Sequence, residues 1–291
     1  MNLEPMNLEP MNLEPMNLEP MNVQPMNVQP MNVQPINSKT IASSSQKNTA
    51  DFNQTLPLHI ATLTCVRAGK AMPFTREEMS AIDKAPINAP VAVDFMGLTT
   101  DEQADRRHHG GPLKAVHQLA TATYDKINAE FSLKVRVGTL GENLTTEAVN
   151  GLLEMTEATV CIGDVFQYGQ DEIIDGNGGD SVQVRIVQPR RPCYKINDQI
   201  GQFTKVPNIA SWVSKQGIAG WYFQVVRDGT ISADLPVYLI ERPYSFATLE
   251  KLWQLSNSKE TFAAEVIEPW LAIECLEESW KKVLAKKIKK G

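Results

Sequence analysis

Cys193 sits in Val187-Gln188-Pro189-Arg190-Arg191-Pro192-Cys193-Tyr194-Lys195. Two prolines just upstream stiffen the backbone. Arg190 and Arg191 place a positive field beside the thiol, and such a field favours thiolate, the form that attacks electrophiles or binds metal. A soft thiolate on an otherwise oxygen-rich scaffold suits a soft or high-valent metal. A packing cysteine that happens to follow a basic pair has the same local signature, so both readings stay open at this point.

A second cluster runs from Asp105 to Lys114, with Arg106, Arg107, His108, His109, Gly110, Gly111 and Lys114. Glycines let a backbone approach a ligand closely. Val116, Leu119, Ala120 and Tyr124 predict a helix over Leu113–Asn128. Its N-terminus and the nearby cations would together favour an anion such as phosphate. The spacing is not that of a Walker loop. Adjacent histidines point in different directions on a helix, which argues against a shared metal; His108 and His109 are instead candidate proton donors, because histidine titrates near neutrality. A charged surface loop is the plain alternative. A third segment, Gly138–Thr146, offers Glu142 and Asn143 as hydrogen-bond partners for a heterocycle, or simply a capped turn.

These segments need a scaffold. The 291 residues carry a net charge of -6 and a pI near 5.4, which does not fit a general nucleic-acid binder. A hydrophobic content of 42% supports a sizeable core. Cys65, Cys161, Cys193 and Cys275 show no C-x-x-C spacing, which argues against a zinc ribbon or disulfide framework and fits a reducing cytosol. No apolar run approaches bilayer length, and no secretory signal is visible, so a cytoplasmic location is expected.

Residues 1–35 repeat Met-Asn-Leu-Glu-Pro four times and Met-Asn-Val-Gln-Pro three times. Proline at every fifth position blocks a continuous helix, and one Leu or Val per repeat is too little for a solenoid core. An extended, disordered tail is expected, continuing as polar linker to residue 55. A methionine array that binds a partner or soft metal is the alternative. From residue 56, runs at His59–Val66, Val91–Val93, Val160–Tyr168, Ser181–Val187, Trp221–Arg227 and Ile231–Glu241 read as strands. Asp228-Gly229 signals a hairpin. Many short strands with an inserted helix predict a β-barrel over 56–242. Residues 243–291 change to helical spacing. Phe246, Leu249, Leu252 and Trp253 form one stripe, a helix follows near Thr261–Glu265, and Ile273, Leu276, Trp280, Val283, Leu284 and Ile288 form another stripe. The fold class is therefore mainly β with helices (α+β). Six lysines between Lys281 and Lys290 suit a helix C-terminus or a solvated face.

Taken in order, D-x-Q-A-D-R-R-H-H-G-G-P, G-E-N-L-T-T, V-C-I-G-D-V-F, Q-P-R-x-P-C-Y-K and G-W-Y resemble the MOSC family, named for the C-terminal domain of molybdenum-cofactor sulfurases. The resemblance covers about residues 57–290. It is nearest to the bacterial, stand-alone, YiiM-like branch, in which a three-helix domain follows the barrel. It implies a molybdenum cofactor, with the metal held by a pterin dithiolene and by Cys193. It further implies that Arg106, Arg107, Gly110, Gly111 and Lys114 hold the pterin phosphate. Glu142 and Asn143 would orient pterin or substrate, and Arg190 would support Cys193. Cys161 reads as structural, and Cys65 and Cys275 as packing residues. Glu102, where glycine is common, and Leu113, where an acidic residue is common, depart from the pattern. Gly151–Glu154 and Asp175–Asp180 look like surface insertions.

The implied activity is reduction of N-hydroxylated small molecules: hydroxylaminopurines, amidoximes or hydroxamic acids. Electrons would come from a separate flavoprotein reductase, since the chain shows no dinucleotide fingerprint or iron–sulfur spacing. The rival readings are a sulfur or cofactor carrier that uses a Cys193 persulfide without turnover, and an adaptor. No nucleic-acid polymer or membrane is expected as partner, and a homodimer is left open.

Overall fold

The computed structural model describes residues 56–105, 110–149, 151–170, 180–202, 205 and 208–289. The repeat tail and linker, the stretch 106–109 and most of the expected insertion at 175–180 lie outside the described residues.

Thirteen strands occur among the described residues: β1 (Leu58–Ala68), β2 (Met72–Pro73), β3 (Met79–Ser80), β4 (Ala85–Pro86), β5 (Val91–Asp94), β6 (Gly97–Leu98), β7 (Val116–Gln118), β8 (Leu144–Ala148), β9 (Val165–Tyr168), β10 (Val182–Pro189), β11 (Trp221–Arg227), β12 (Gly229–Ile231) and β13 (Pro236–Glu241). Seven of them close a barrel in the order β1-β13-β9-β10-β11-β7-β8, with β8 returning to β1. Closure leaves these strands without free edges. β4 extends the end of β1, while β12, β5 and β6 form a small separate sheet. Every barrel pairing is antiparallel except β7 with β8, which share the single parallel register Gln118↔Leu144.

Period-two patterning explains the interior. Val182, Val184 and Ile186 of β10 face Phe223 and Val225 of β11 in one buried cluster with Leu63, Phe166 and Val237. Phe166 meets Phe223 edge-on at 6.1 Å, and Trp221 meets Phe223 at 6.4 Å. Each fully buried side chain of this size contributes about 1.5–3 kcal/mol. A second apolar layer, holding Leu119, Tyr124, Ile127 and Leu140, is covered by three helices: α1 (Ala122–Phe131), α2 (Lys195–Gly201) and α3 (Ile209–Gln216).

Three local expectations are corrected. The helix over Leu113–Asn128 is a single 3-10 turn at Pro112–Lys114, then strand β7, then α1. Its apolar stripe is really two sets: Val116 joins the barrel core, while Leu119 and Tyr124 join the second layer. Pairing of Val116, His117 and Gln118 with β11 outweighs the helical period. The basic loop therefore does not lead into an α-helix N-terminus. Asp228-Gly229 is not a hairpin, because β12 leaves β11 and pairs with β5. The Val160–Tyr168 run is strand only from Val165; before it, the Cys161 N–H donates to Asp164 Oδ2 at 2.9 Å in a turn.

The last three helices are α4 (Leu249–Asn257), α5 (Ala264–Leu271) and α6 (Glu278–Ala285). Thr248 caps α4 by accepting from the Lys251 N–H, and Glu277 caps α6 by accepting from the Ser279 N–H. Leu249, Leu252, Trp280 and Leu284 belong to the same buried cluster as the barrel strands, so the helical module shares the barrel's core. Among the described residues, no helix is long and apolar enough to cross a membrane.

At the junction, Arg242 grips Asp164 with Nε to Oδ1 at 2.9 Å and Nη2 to Oδ2 at 2.6 Å. Burial raises the Asp164 carboxyl above its usual range even with the guanidinium alongside. Arg242→Met removes the partner and leaves a buried carboxylate alone, a change that costs about 3–5 kcal/mol. Urea unfolding is expected to show that loss, with much of it recovered in the double variant Arg242→Met, Asp164→Leu; a single variant as stable as wild type would show that the pair does not hold the junction.

Candidate functional site

The Cys193 segment starts where β10 ends. Pro189 closes the ladder, and the Arg190 N–H donates to Gly220 O at 2.8 Å. The Arg191 guanidinium lies 4.1 Å from the centre of the Trp280 ring in α6, a cation–π contact. Nearby, the Glu277 N–H donates to Val187 O at 3.1 Å. Just after the thiol, the Ile196 N–H donates to Cys193 O at 3.2 Å as α2 begins. The barrel and the helical module thus hold the backbone before Cys193, and the start of α2 holds it after.

Two cavities meet at this residue. The inner one is about 680 Å³ with its open mouth counted. The outer one is wider, about 1690 Å³, and reaches Glu277 and Ser279 at the start of α6. Cys193, Lys195, Lys114, Asp105 and Tyr222 line both. The part-exposed thiol therefore stands where the two spaces join.

The inner wall carries several charged and polar side chains. Arg190 Nη1 donates to Leu140 O at 2.7 Å and lies 3.4 Å from His117 Nδ1. His117 Nε2 is 3.0 Å from Ala219 O, so that nitrogen carries the proton and Nδ1 is left to accept from Arg190. Burial first, then the Arg190 charge, hold His117 well below the ordinary histidine range. Gly220 makes this packing possible: at φ +79°, a Cβ there would lie 2.2 Å from Gln118 O and 2.8 Å from His117 Nε2.

Lys84 and Asp101 form a second buried group, with Lys84 Nζ 2.5 Å from Oδ1 and 2.6 Å from Oδ2. Asp101 also accepts from the Gly69 N–H at 2.7 Å and from Asn143 Nδ2 at 2.9 Å. Burial lowers the Lys84 ammonium below its usual range, against the pull of Asp101.

The expected site residues fall into three groups. Cys193, Arg190, Lys114, Gly110 and Asn143 line the inner cavity together. Gly111, at φ +86° with open space where a Cβ would stand, leads into the 3-10 turn. Glu142 is fully buried behind the cavity, where Oε2 accepts from Tyr124 Oη at 2.7 Å and Oε1 from the Gly138 N–H at 2.6 Å. Arg106, Arg107, His108 and His109 lie outside the described residues. Sequence reasoning missed His117, Lys84, Asp101 and Tyr222. Lys84 and Asp101 stand 17 positions apart and become partners only through the fold.

Whether these residues suit an anionic pterin is tested by one orphan atom. Arg190 Nε is buried with no hydrogen-bond partner among the described residues. A buried guanidinium with a spare donor favours an acceptor-rich or anionic ligand. Among the described residues, no group of three or more His, Cys, Asp or Glu side chains could hold a metal ion. A metal at Cys193 would need its other ligands from a cofactor, and the residues present fit that arrangement.

Cys161 contrasts with Cys193. It is buried, its Sγ lies 3.6 Å from Ser245 O, and burial pushes its thiol up to about 12. Iodoacetamide at pH 8, read by peptide mass mapping, is expected to label Cys193 well before Cys161. Equal labelling rates in the native protein would contradict the burial.

A family model for the MOSC domain matches residues 105–238. YiiM of Escherichia coli (strain K12) is 30% identical over 180 residues, spanning 61% of this chain and 71% of that protein. A protein of Gibberella moniliformis (strain M3125 / FGSC 7600) named "Reductase" is 31% identical over 215 residues, which are 72% of this chain but only 34% of that longer protein. The crystal structure of YiiM from Geobacillus stearothermophilus aligns with a TM-score of 0.58 at 22% identity, covering 79% of this chain and all of that one, and so shares the fold. The barrel, the module behind it and these relatives together place the chain in the MOSC family, as a YiiM-like member.

Proposed function

We propose that this protein binds a molybdenum cofactor and reduces N-hydroxylated small molecules, with electrons from a separate reductase. The observation that supports this best is the position of Cys193, at the join between a cation-lined inner cavity and a wider outer one. When bound, the pterin-held molybdenum supplies two-electron chemistry at the N–O bond. Cys193 Sγ is the protein's ligand to the metal. Arg190, through its spare Nε donor, and Lys114 hold anionic parts of the pterin, with Arg106, Arg107, Gly110 and Gly111 contributing from the same loop. Asn143 acts behind them, because its amide is already committed to Asp101, Arg67 O and the His117 N–H. Glu142 fixes the 138–143 turn through Tyr124.

A relative named "Reductase" supports the redox reading, and the part of it beyond this chain leaves room for a fused electron source. The expected substrates are hydroxylaminopurines, amidoximes and hydroxamic acids. Cations on the cavity wall also favour charge that develops on a departing oxygen.

Anaerobic purification from a cofactor-competent host, with Cys193→Ser alongside, tests the reading. Stoichiometric molybdenum and pterin are expected in wild type, together with turnover of a hydroxylaminopurine by a reduced viologen. Metal and turnover should both be lost in Cys193→Ser. A folded wild-type protein without molybdenum would overturn the assignment in favour of a persulfide carrier.

A further inference from the structure

Reducing an N–OH group to N–H takes up two electrons and two protons and releases water. The N–O bond breaks, one O–H and one N–H bond form, and the electron donor is oxidised. Hydroxide is a poor leaving group, so a proton source inside the cavity lowers the barrier to the oxygen's departure.

The inner wall carries several ionisable groups, among them Lys84, Lys114, Lys195, Asp105 and Glu102. Arg190 does not give up a proton in a protein. His117 is neutral, and its single N–H is committed to Ala219 O at 3.0 Å. Lys195 Nζ points the other way, to Met79 O at 2.8 Å and Glu78 at 3.3 Å. Lys84 lines the same wall, with its side chain 9% exposed and its Nζ held on Asp101. An ammonium has three donors. Asp101 itself is pinned by the Gly69 N–H and the Asn143 amide, so the lysine has a rigid seat.

We propose that Lys84 Nζ is the acid that protonates the departing oxygen of the substrate, with Asp101 as its positioning residue; this rests on the reductase reading above. The second proton comes from water, and Lys84 is recharged from solvent through the cavity mouth. The charged groups acting on Lys84 are Asp101 from the loop after β6, Glu142 from the turn before β8 and Arg190 from the end of β10. The first two favour the ammonium. Burial and Arg190 oppose it, leaving an acid that releases its proton more readily than an ordinary lysine.

The test compares wild type, Lys84→Gln, Lys84→Arg and Asp101→Asn, each loaded with cofactor and assayed with a reduced viologen and a hydroxylaminopurine. Lys84→Gln is expected to lose kcat by about 100-fold or more, the lower end for general acid catalysis. Its molybdenum content should be unchanged. Lys84→Arg keeps the ion pair but cannot release a proton at working pH, so it should fold, load and be as slow as Lys84→Gln. In wild type, kcat should fall as pH rises through the Lys84 pKa, below 10.5. Asp101→Asn removes the carboxylate that favours the charged form, so this alkaline limb should move to lower pH. An NMR titration of the Lys84 side chain without reductant should show the same two shifts, a readout independent of turnover. Near-wild-type kcat in Lys84→Gln or Lys84→Arg overturns this inference alone. So does loss of molybdenum from Lys84→Arg, since Lys84 would then be a cofactor contact. A molybdenum-loaded wild type inactive on every N-hydroxylated compound overturns both this inference and the reductase reading.

Discussion

The barrel has one weak seam, and Asn143 spans it. β7 and β8 run parallel and share one register pair, so the ladder contributes little there. Asn143 supplies what is missing. Its backbone N–H donates to His117 O at 2.8 Å, and its Oδ1 accepts from the His117 N–H at 3.1 Å. Its O accepts from the Arg67 N–H at 2.7 Å, and its Nδ2 reaches Arg67 O and Asp101 Oδ2. One buried amide thus joins β1, β7 and the turn before β8 to the loop that holds Asp101. Hydrogen bonds of this kind count for more in a low-dielectric interior, where any unpaired member is costly.

Around that clasp the charges fall into two layers. Lys84, Arg190 and Asp101 face the inner cavity. Behind it, Glu142 and Tyr124 brace the turn: the Tyr124 hydroxyl donates to Glu142 and accepts from the Gly138 and Leu140 N–H groups at 3.1 and 2.9 Å. Burial, and then the Glu142 charge, hold the Tyr124 phenol well above its usual range, so it stays a donor. Glu142 thus sets the shape of the wall, whereas the Lys84–Asp101 pair and Arg190 set its charge.

Much of this was readable in the chain because the signals are local. The Pro-Arg-Arg-Pro-Cys stretch, the alternation in β10 and β11, and the stripe through Trp280 and Leu284 each report on a single element. What could not be read depends on meetings between segments. Lys84 is a lone lysine before Ala85-Pro86 until the fold brings Asp101 to it. His117 looked like part of a helix because Val116, Leu119 and Tyr124 happen to keep helical spacing while facing two different cores. Asp228-Gly229 has hairpin chemistry, yet the strand after it pairs with β5, a choice made by tertiary contacts and not by the turn. The helices α2 and α3, seven and eight residues long, were not read from the sequence.

The pairing of β1 with β13 sets the order of events during synthesis. Leu58 pairs opposite Leu239 and His59 opposite Tyr238, so the first barrel strand to leave the ribosome must wait for the last. Until then the nascent chain holds an open sheet, with the edges of β1 and β9 both unpaired. Contacts this distant in sequence are entropically slow to form, and open edges are adhesive while they last. The helical module follows directly after β13, so closure of the barrel and covering of its exposed core fall within the same short interval of translation. A chain stopped before residue 236 would keep nearly every residue of the cavity and still lack the strand that closes its barrel.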